Sequence, residues 1–89
     1  MKRTIEYAPA YLRKAKKIAS KNPLLRKPYA ETLNRLIDDP FDTILHTHPL
    51  VGNLKGRYAC SLTYELRIVF RLYDDIVHLL AIGPHDEVY

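Results

Sequence analysis

Along residues 66–73, Leu66, Ile68, Phe70 and Leu72 alternate with Arg67, Val69, Arg71 and Tyr73, and a period of two sends the two sets to opposite faces of a strand. One face is apolar; the other carries arginine. The same pattern predicts flanking strands over Arg57 to Thr63 and Ile76 to Ile82. Asp74-Asp75 suits a two-residue hairpin loop, which sets Leu72 against Val77, Phe70 against Leu79, Ile68 against Ala81, Arg71 against His78 and Arg67 against Ile82. Keeping Tyr58, Cys60 and Leu62 on the apolar face requires an odd connection to Leu66, of about three residues around Tyr64-Glu65. Arg57, Ser61 and Thr63 then join Arg67 and Arg71 on the polar face, with Glu65 at its rim.

Ahead of this meander the period changes. Arg3 to Tyr7 reads as a short edge strand. Pro9 suits a first helical turn, and Leu12, Ala15, Ile18 and Ala19 follow at helical spacing until Asn22-Pro23. Leu25, Tyr29, Leu33, Leu36 and Ile37 form a second stripe closed by Asp38-Asp39-Pro40. Two amphipathic helices joined by a short proline-marked connection predict a helical hairpin, whose stripes need the apolar side of the sheet for burial. Phe41 to Leu54 has no sustained period and reads as a long loop. The expected fold class is α+β: an N-terminal strand, a helical hairpin, then a three-stranded antiparallel meander, with the helices on one sheet face and the arginine face open. Residues 1–89 form one domain, since the chain holds no repeat and no second composition regime.

Composition narrows the partners. A formal net charge of +4 favours polyanions. The single cysteine, Cys60, cannot close an internal disulfide, and no apolar run reaches the roughly 18 residues a membrane helix needs. A cytoplasmic location without membrane contact is the expectation. No phosphate-cradling glycine loop or serine-elbow motif is present, and His46-Thr47-His48 with His85 matches no closed zinc pattern, so neither a metal nor a cofactor is expected.

The residues able to do chemistry are His48 in the long loop, Glu65 in the turn, Arg67 on the central strand, and His85 and Tyr89 in the polar tail. Imidazoles exchange protons near neutrality and arginine stabilises charge gathering on a phosphoryl group. These are the parts for metal-free RNA cleavage by the ribose 2′-hydroxyl, with Lys55, Arg57, Ser61 and Arg71 as candidate substrate contacts. Each has a plainer reading too: Arg57 and Arg71 as solubilising charges, Tyr89 as a packed ring, His48 as a turn residue before Pro49.

At these residues the chain resembles the RelE/ParE superfamily of bacterial and archaeal toxins from toxin-antitoxin modules, and within it the RelE/StbE and YafQ-type branch. The resemblance runs the whole length in element order (β-α-α-β-β-β). It is most specific at His48-Pro49-Leu50-Val51-Gly52 with Leu54-Lys55-Gly56, at Leu66-Arg67-Ile68-Val69-Phe70, and at Ala81-Ile82-Gly83-Pro84-His85-Asp86-Glu87-Val88-Tyr89. It implies a ribosome-dependent endoribonuclease, an mRNA interferase, that cuts the A-site codon and leaves a 2′,3′-cyclic phosphate. It also implies an antitoxin partner, which admits a heterotetramer, and repression of a shared operon by the complex. By the same resemblance His85 takes the general-acid role, His48 matches a loop histidine of the site, Glu65 falls at a catalytic aspartate, Arg67 matches a strand arginine and Tyr89 a base-stacking aromatic. The chain departs from the pattern at Ser61, where the branch has a second histidine, at Ala59, where it has an acid, and at Ala81, often an arginine. The competing reading from the same superfamily is a ParE-like binder that inhibits DNA gyrase and cleaves nothing.

Overall fold

The computed structural model describes residues 2–89. The chain runs β1 (Thr4–Tyr7), α1 (Pro9–Lys21), α2 (Arg26–Asp38), β2 (His48–Pro49), β3 (Tyr58–Ser61), β4 (Leu66–Tyr73), β5 (Ile76–Pro84) and α3 (His85–Val88). The strands make one mixed sheet in the order β1-β5-β4-β3-β2, with β1 parallel to β5 and every other pair antiparallel. The helical hairpin and the meander are those the periodicity predicts, and β1 is an edge strand. Tyr11, Leu36, Leu45, Cys60, Leu62, Ile68, Phe70, Val77, Leu79 and Ile82 form the core between helices and sheet.

The three-residue turn after β3 holds as expected. Tyr58 faces Phe70 and Cys60 faces Ile68, and the Leu62 N–H donates to the Leu66 carbonyl at 2.9 Å across Thr63, Tyr64 and Glu65. The Asp74-Asp75 hairpin also holds near its loop, with Leu72 against Val77, Arg71 against His78 and Phe70 against Leu79. Further along, the expected register is corrected by a bulge. Val69 pairs with Ala81, Ile68 with Ile82 and Arg67 with Gly83, leaving Leu80 as the extra residue. Strict alternation would turn Ile82 away from the core after Leu79; one inserted residue resets the parity and buries both.

Three further expectations change. On α1 the residue fully buried is Tyr11, and Leu12 remains 39% exposed. The Tyr11 and Tyr29 hydroxyls lie 2.8 Å apart, which satisfies the polar end of the buried ring. Phe41 to Leu54 is not structureless: it folds into tight 3-10 turns at Thr43–Leu45 and Gly52–Leu54, with β2 between them as a fifth strand. A two-residue strand is too short to leave any period in the sequence. The Asp42 carboxylate fixes the first of these turns by accepting the Ile44 N–H at 2.9 Å.

The third change concerns the open face. Ala59 and Val69 point away from the main core, yet both are buried. The polar tail after β5 forms the short helix α3, and Tyr89 reaches back to His48 on β2. His48, Ala59, Val69 and Ala81 form one row across the sheet, so residues 85–89 cross that row and cover its small apolar centre. The arginine face is therefore roofed at its middle and open around it.

Candidate active site

The local chain builds this crossing. Gly83 sits at φ +159°, and a Cβ there would lie 2.9 Å from Glu87 Oε2 and 3.5 Å from Val88 Cγ1, so glycine lets α3 fold tightly against β5. Glu87 in turn holds Lys14 of α1, Nζ to Oε2 at 3.0 Å. His85 opens α3, and its ring lies 4.2 Å, centroid to centroid, from that of Tyr89 in an edge-to-face arrangement. The Tyr89 hydroxyl is 3.1 Å from His48 Nε2. Three of the expected site residues, His48, His85 and Tyr89, thus form one continuous cluster.

His48 has a defined tautomer. Its Nδ1 lies 3.2 Å from the His46 carbonyl oxygen, which can only accept, so Nδ1 carries the ring proton. A neutral ring then has its lone pair on Nε2, the atom that meets Tyr89. His46 adopts the left-handed conformation at φ +53°, which turns its carbonyl toward the following residues. This positioning role leaves no mark in the sequence, because any residue has a carbonyl. Burial raises the Tyr89 hydroxyl above its ordinary pKa, against an opposing pull from the Arg67 charge. The phenol therefore keeps its proton near neutrality, and against a neutral His48 ring it donates to Nε2.

Arg67 has a structural duty as well. Its Nη1 donates to the carbonyls of Thr63 at 2.9 Å, Tyr64 at 3.0 Å and Leu66 at 3.3 Å, pinning the turn. All three bonds use one nitrogen, so the Nη2 and Nε edge is the part that can meet an anion. Ser61 lies directly across from Arg67. His48, Ser61 and Arg67 line a shared depression of about 570 Å³ between α2 and β3.

The other expected residues are not drawn into the cluster. Glu65 lies in a separate depression with Ile18, Lys21, Asn22 and Leu25 at the end of α1. Arg71 is exposed further along β4, opposite His78. Lys55 and Arg57 flank Gly56 in the connection to β3, where the Arg57 carbonyl accepts the Leu50 N–H at 2.9 Å. No group of three or more His, Cys, Asp or Glu side chains suited to a metal occurs among the described residues. Cys60 is buried, and desolvation pushes its thiol up to about 12, so it is no nucleophile.

No family model and no curated protein matches the sequence. Solved structures do. YafQ from Escherichia coli superposes with a TM-score of 0.81 at 20% identity, over 98% of either chain. YafQ in the E. coli DinJ-YafQ toxin-antitoxin complex gives 0.80 at 22% identity, over 100% of this chain and 99% of the other. A YoeB/ParE toxin from Agrobacterium tumefaciens gives 0.80 at 14% identity, over 92% and 98%. The chain has the RelE-like fold of YafQ and YoeB. That fold places the His48, His85 and Tyr89 cluster on the sheet face opposite the helical hairpin.

Proposed function

We propose that this protein is the toxin of a type II toxin-antitoxin module and acts as a ribosome-dependent endoribonuclease on messenger RNA. The observation that carries the reading is the His48–Tyr89–His85 cluster, with a lone pair on His48 Nε2 and the Arg67 charge close by. In the reaction, the substrate 2′-hydroxyl replaces the Tyr89 hydroxyl at Nε2 and gives its proton to His48. Its oxygen attacks the adjacent phosphorus, the bond to the 5′-oxygen breaks, and that oxygen takes a proton from His85. The products are a 2′,3′-cyclic phosphate and a 5′-hydroxyl. The free edge of Arg67 balances the charge that gathers on the phosphoryl oxygens. No covalent bond to the protein forms, so Ser61 in place of a second histidine costs the site a proton carrier but not the sequence of steps.

An antitoxin is the proposed partner, in keeping with the solved complexes of YafQ with DinJ and of YoeB with YefM. Its seat on this reading is an apolar depression of about 350 Å³ between α1 and the start of α2, where Leu12 and Tyr7 are partly exposed and Lys16 and Arg26 form a basic rim for an acidic segment. The test of the activity is controlled expression of wild type and His85→Ala, with message ends mapped by primer extension. General-acid loss lowers cleavage by about 10²- to 10⁴-fold. Equal cleavage by both proteins removes His85 from the mechanism. No cleavage by wild type, with supercoiling by gyrase inhibited, replaces this reading with the ParE-like one.

A further inference from the structure

The depression between α2 and β3 leads away from the catalytic cluster, and one of its walls is a side chain with no evident structural task. Tyr64 stands at the tip of the three-residue turn with 94% of its surface exposed, on the ridge between this depression and the one holding Glu65. A turn does not call for tyrosine, since tight connections favour Gly, Asn or Asp. Yet the backbone beneath the ring is firmly held: Arg67 Nη1 takes the Thr63 and Tyr64 carbonyls, and the Leu66 N–H donates to Thr63 Oγ1 at 3.1 Å.

We propose that this depression is a nucleobase subsite, in which Tyr64 is the stacking platform for a base next to the scissile bond of single-stranded RNA. The proposal rests on the reading of the protein as a ribonuclease and adds to it a residue that contacts substrate. Three features support it. The space of about 570 Å³ falls within the roughly 300–1,000 Å³ of pockets that take small ligands. His48 and Arg67 line both this space and the approach to the cluster, so a strand with its phosphate at His48 has its neighbouring nucleotide at the depression. Arg67 adds cationic charge to the lining, where the acid is Glu31 and Arg35 is paired with Asp42 at 3.7 Å. An aromatic ring on a pinned turn meets a base with little ordering cost, and stacking is tolerant of which base arrives.

The experiment uses short single-stranded RNA with 2′-O-methyl riboses, which binds but cannot be cut, carrying 2-aminopurine at successive positions. Wild type quenches the fluorescence at one position; Tyr64→Ala loses that quenching and binds about tenfold more weakly, and Tyr64→Phe retains both. Circular dichroism confirms that both variants are folded. The proposal is overturned if no position is quenched by wild type, if Tyr64→Ala binds and quenches like wild type, or if Tyr64→Phe loses as much as Tyr64→Ala. A subsite that passes this test while unmodified RNA on ribosomes goes uncut leaves the stacking role in place and removes the nuclease reading, so the two failures are distinct.

Discussion

A neutral imidazole has one proton to place, and at His48 the carbonyl of His46 claims it on Nδ1. The consequence is chemical: Nε2 becomes the basic atom, and Tyr89 guards it until something else takes its place. Nitrogen-15 NMR of the free protein is expected to show His48 Nε2 as the unprotonated nitrogen. Tyr89→Phe removes the hydroxyl but keeps a ring against His85, so its stability cost is about 1 kcal/mol, the value of one hydrogen bond. Tyr89→Ala removes both contacts. Cleavage assays are expected to rank Tyr89→Phe above Tyr89→Ala; the reverse order would mean that the ring does nothing for His85. The expectation that groups His48, His85 and Tyr89 comes from strand register and the family resemblance, since four histidines in a small basic chain are commonplace. The second duty of Arg67 was not legible, since its partners are carbonyls and carry no side-chain signature.

Among the elements, α3 decides whether the cluster exists. Its position depends on Gly83, where an added methyl would meet the Glu87 carboxylate. The nearest obstruction is the far end of a flexible side chain, so the clash in Gly83→Ala is relieved by swinging Glu87 off Lys14. The pair is exposed on both sides, and such pairs contribute about 0–1 kcal/mol. The backbone at Gly83, φ +159°, adds strain for alanine that no side-chain movement relieves, so urea unfolding of Gly83→Ala is expected to show a loss of about 1–3 kcal/mol, while the His48 ring signals shift because Tyr89 moves. An unchanged His48 spectrum would show that α3 tolerates the methyl group without moving. The larger elements followed from periodicity: the β4 alternation and the two helical stripes are long enough to overdetermine their faces. The bulge at Leu80 and the two-residue β2 were not legible, because each depends on where a neighbouring strand lies. The covering of Ala59 and Val69 escaped for the same reason, as a mostly polar sequence such as His85-Asp86-Glu87-Val88 folds over the sheet only through Glu87, Val88 and Tyr89 contacts made at a distance.

At the scale of the molecule, the core carries two acids whose ionisation burial opposes. Desolvation raises the Cys60 thiol from 9.0 to about 12, and desolvation with the Tyr29 hydrogen bond raises Tyr11 further still. Both are acids with a raised folded pKa, so the unfolded chain gives up these protons first. Below pH 9 the preference for the folded state is fully present; it is lost as the pH climbs from about 9 towards 12. Urea unfolding at pH 8 and pH 10.5 is expected to show a clear fall in stability, with Cys60→Ala reducing the slope between them. A flat profile would mean that Cys60 and Tyr11 meet water in the folded state. The sheet order has one more outcome. Thr4 is hydrogen-bonded to a partner strand beginning at Ile76, and that partner lies inside the sheet. Synthesis is directional, so a nascent chain holds its first strand unpaired until β5 has cleared the exit tunnel. His85 and Tyr89 emerge later still, so the cluster with His48 assembles only after β5 has taken its place in the sheet.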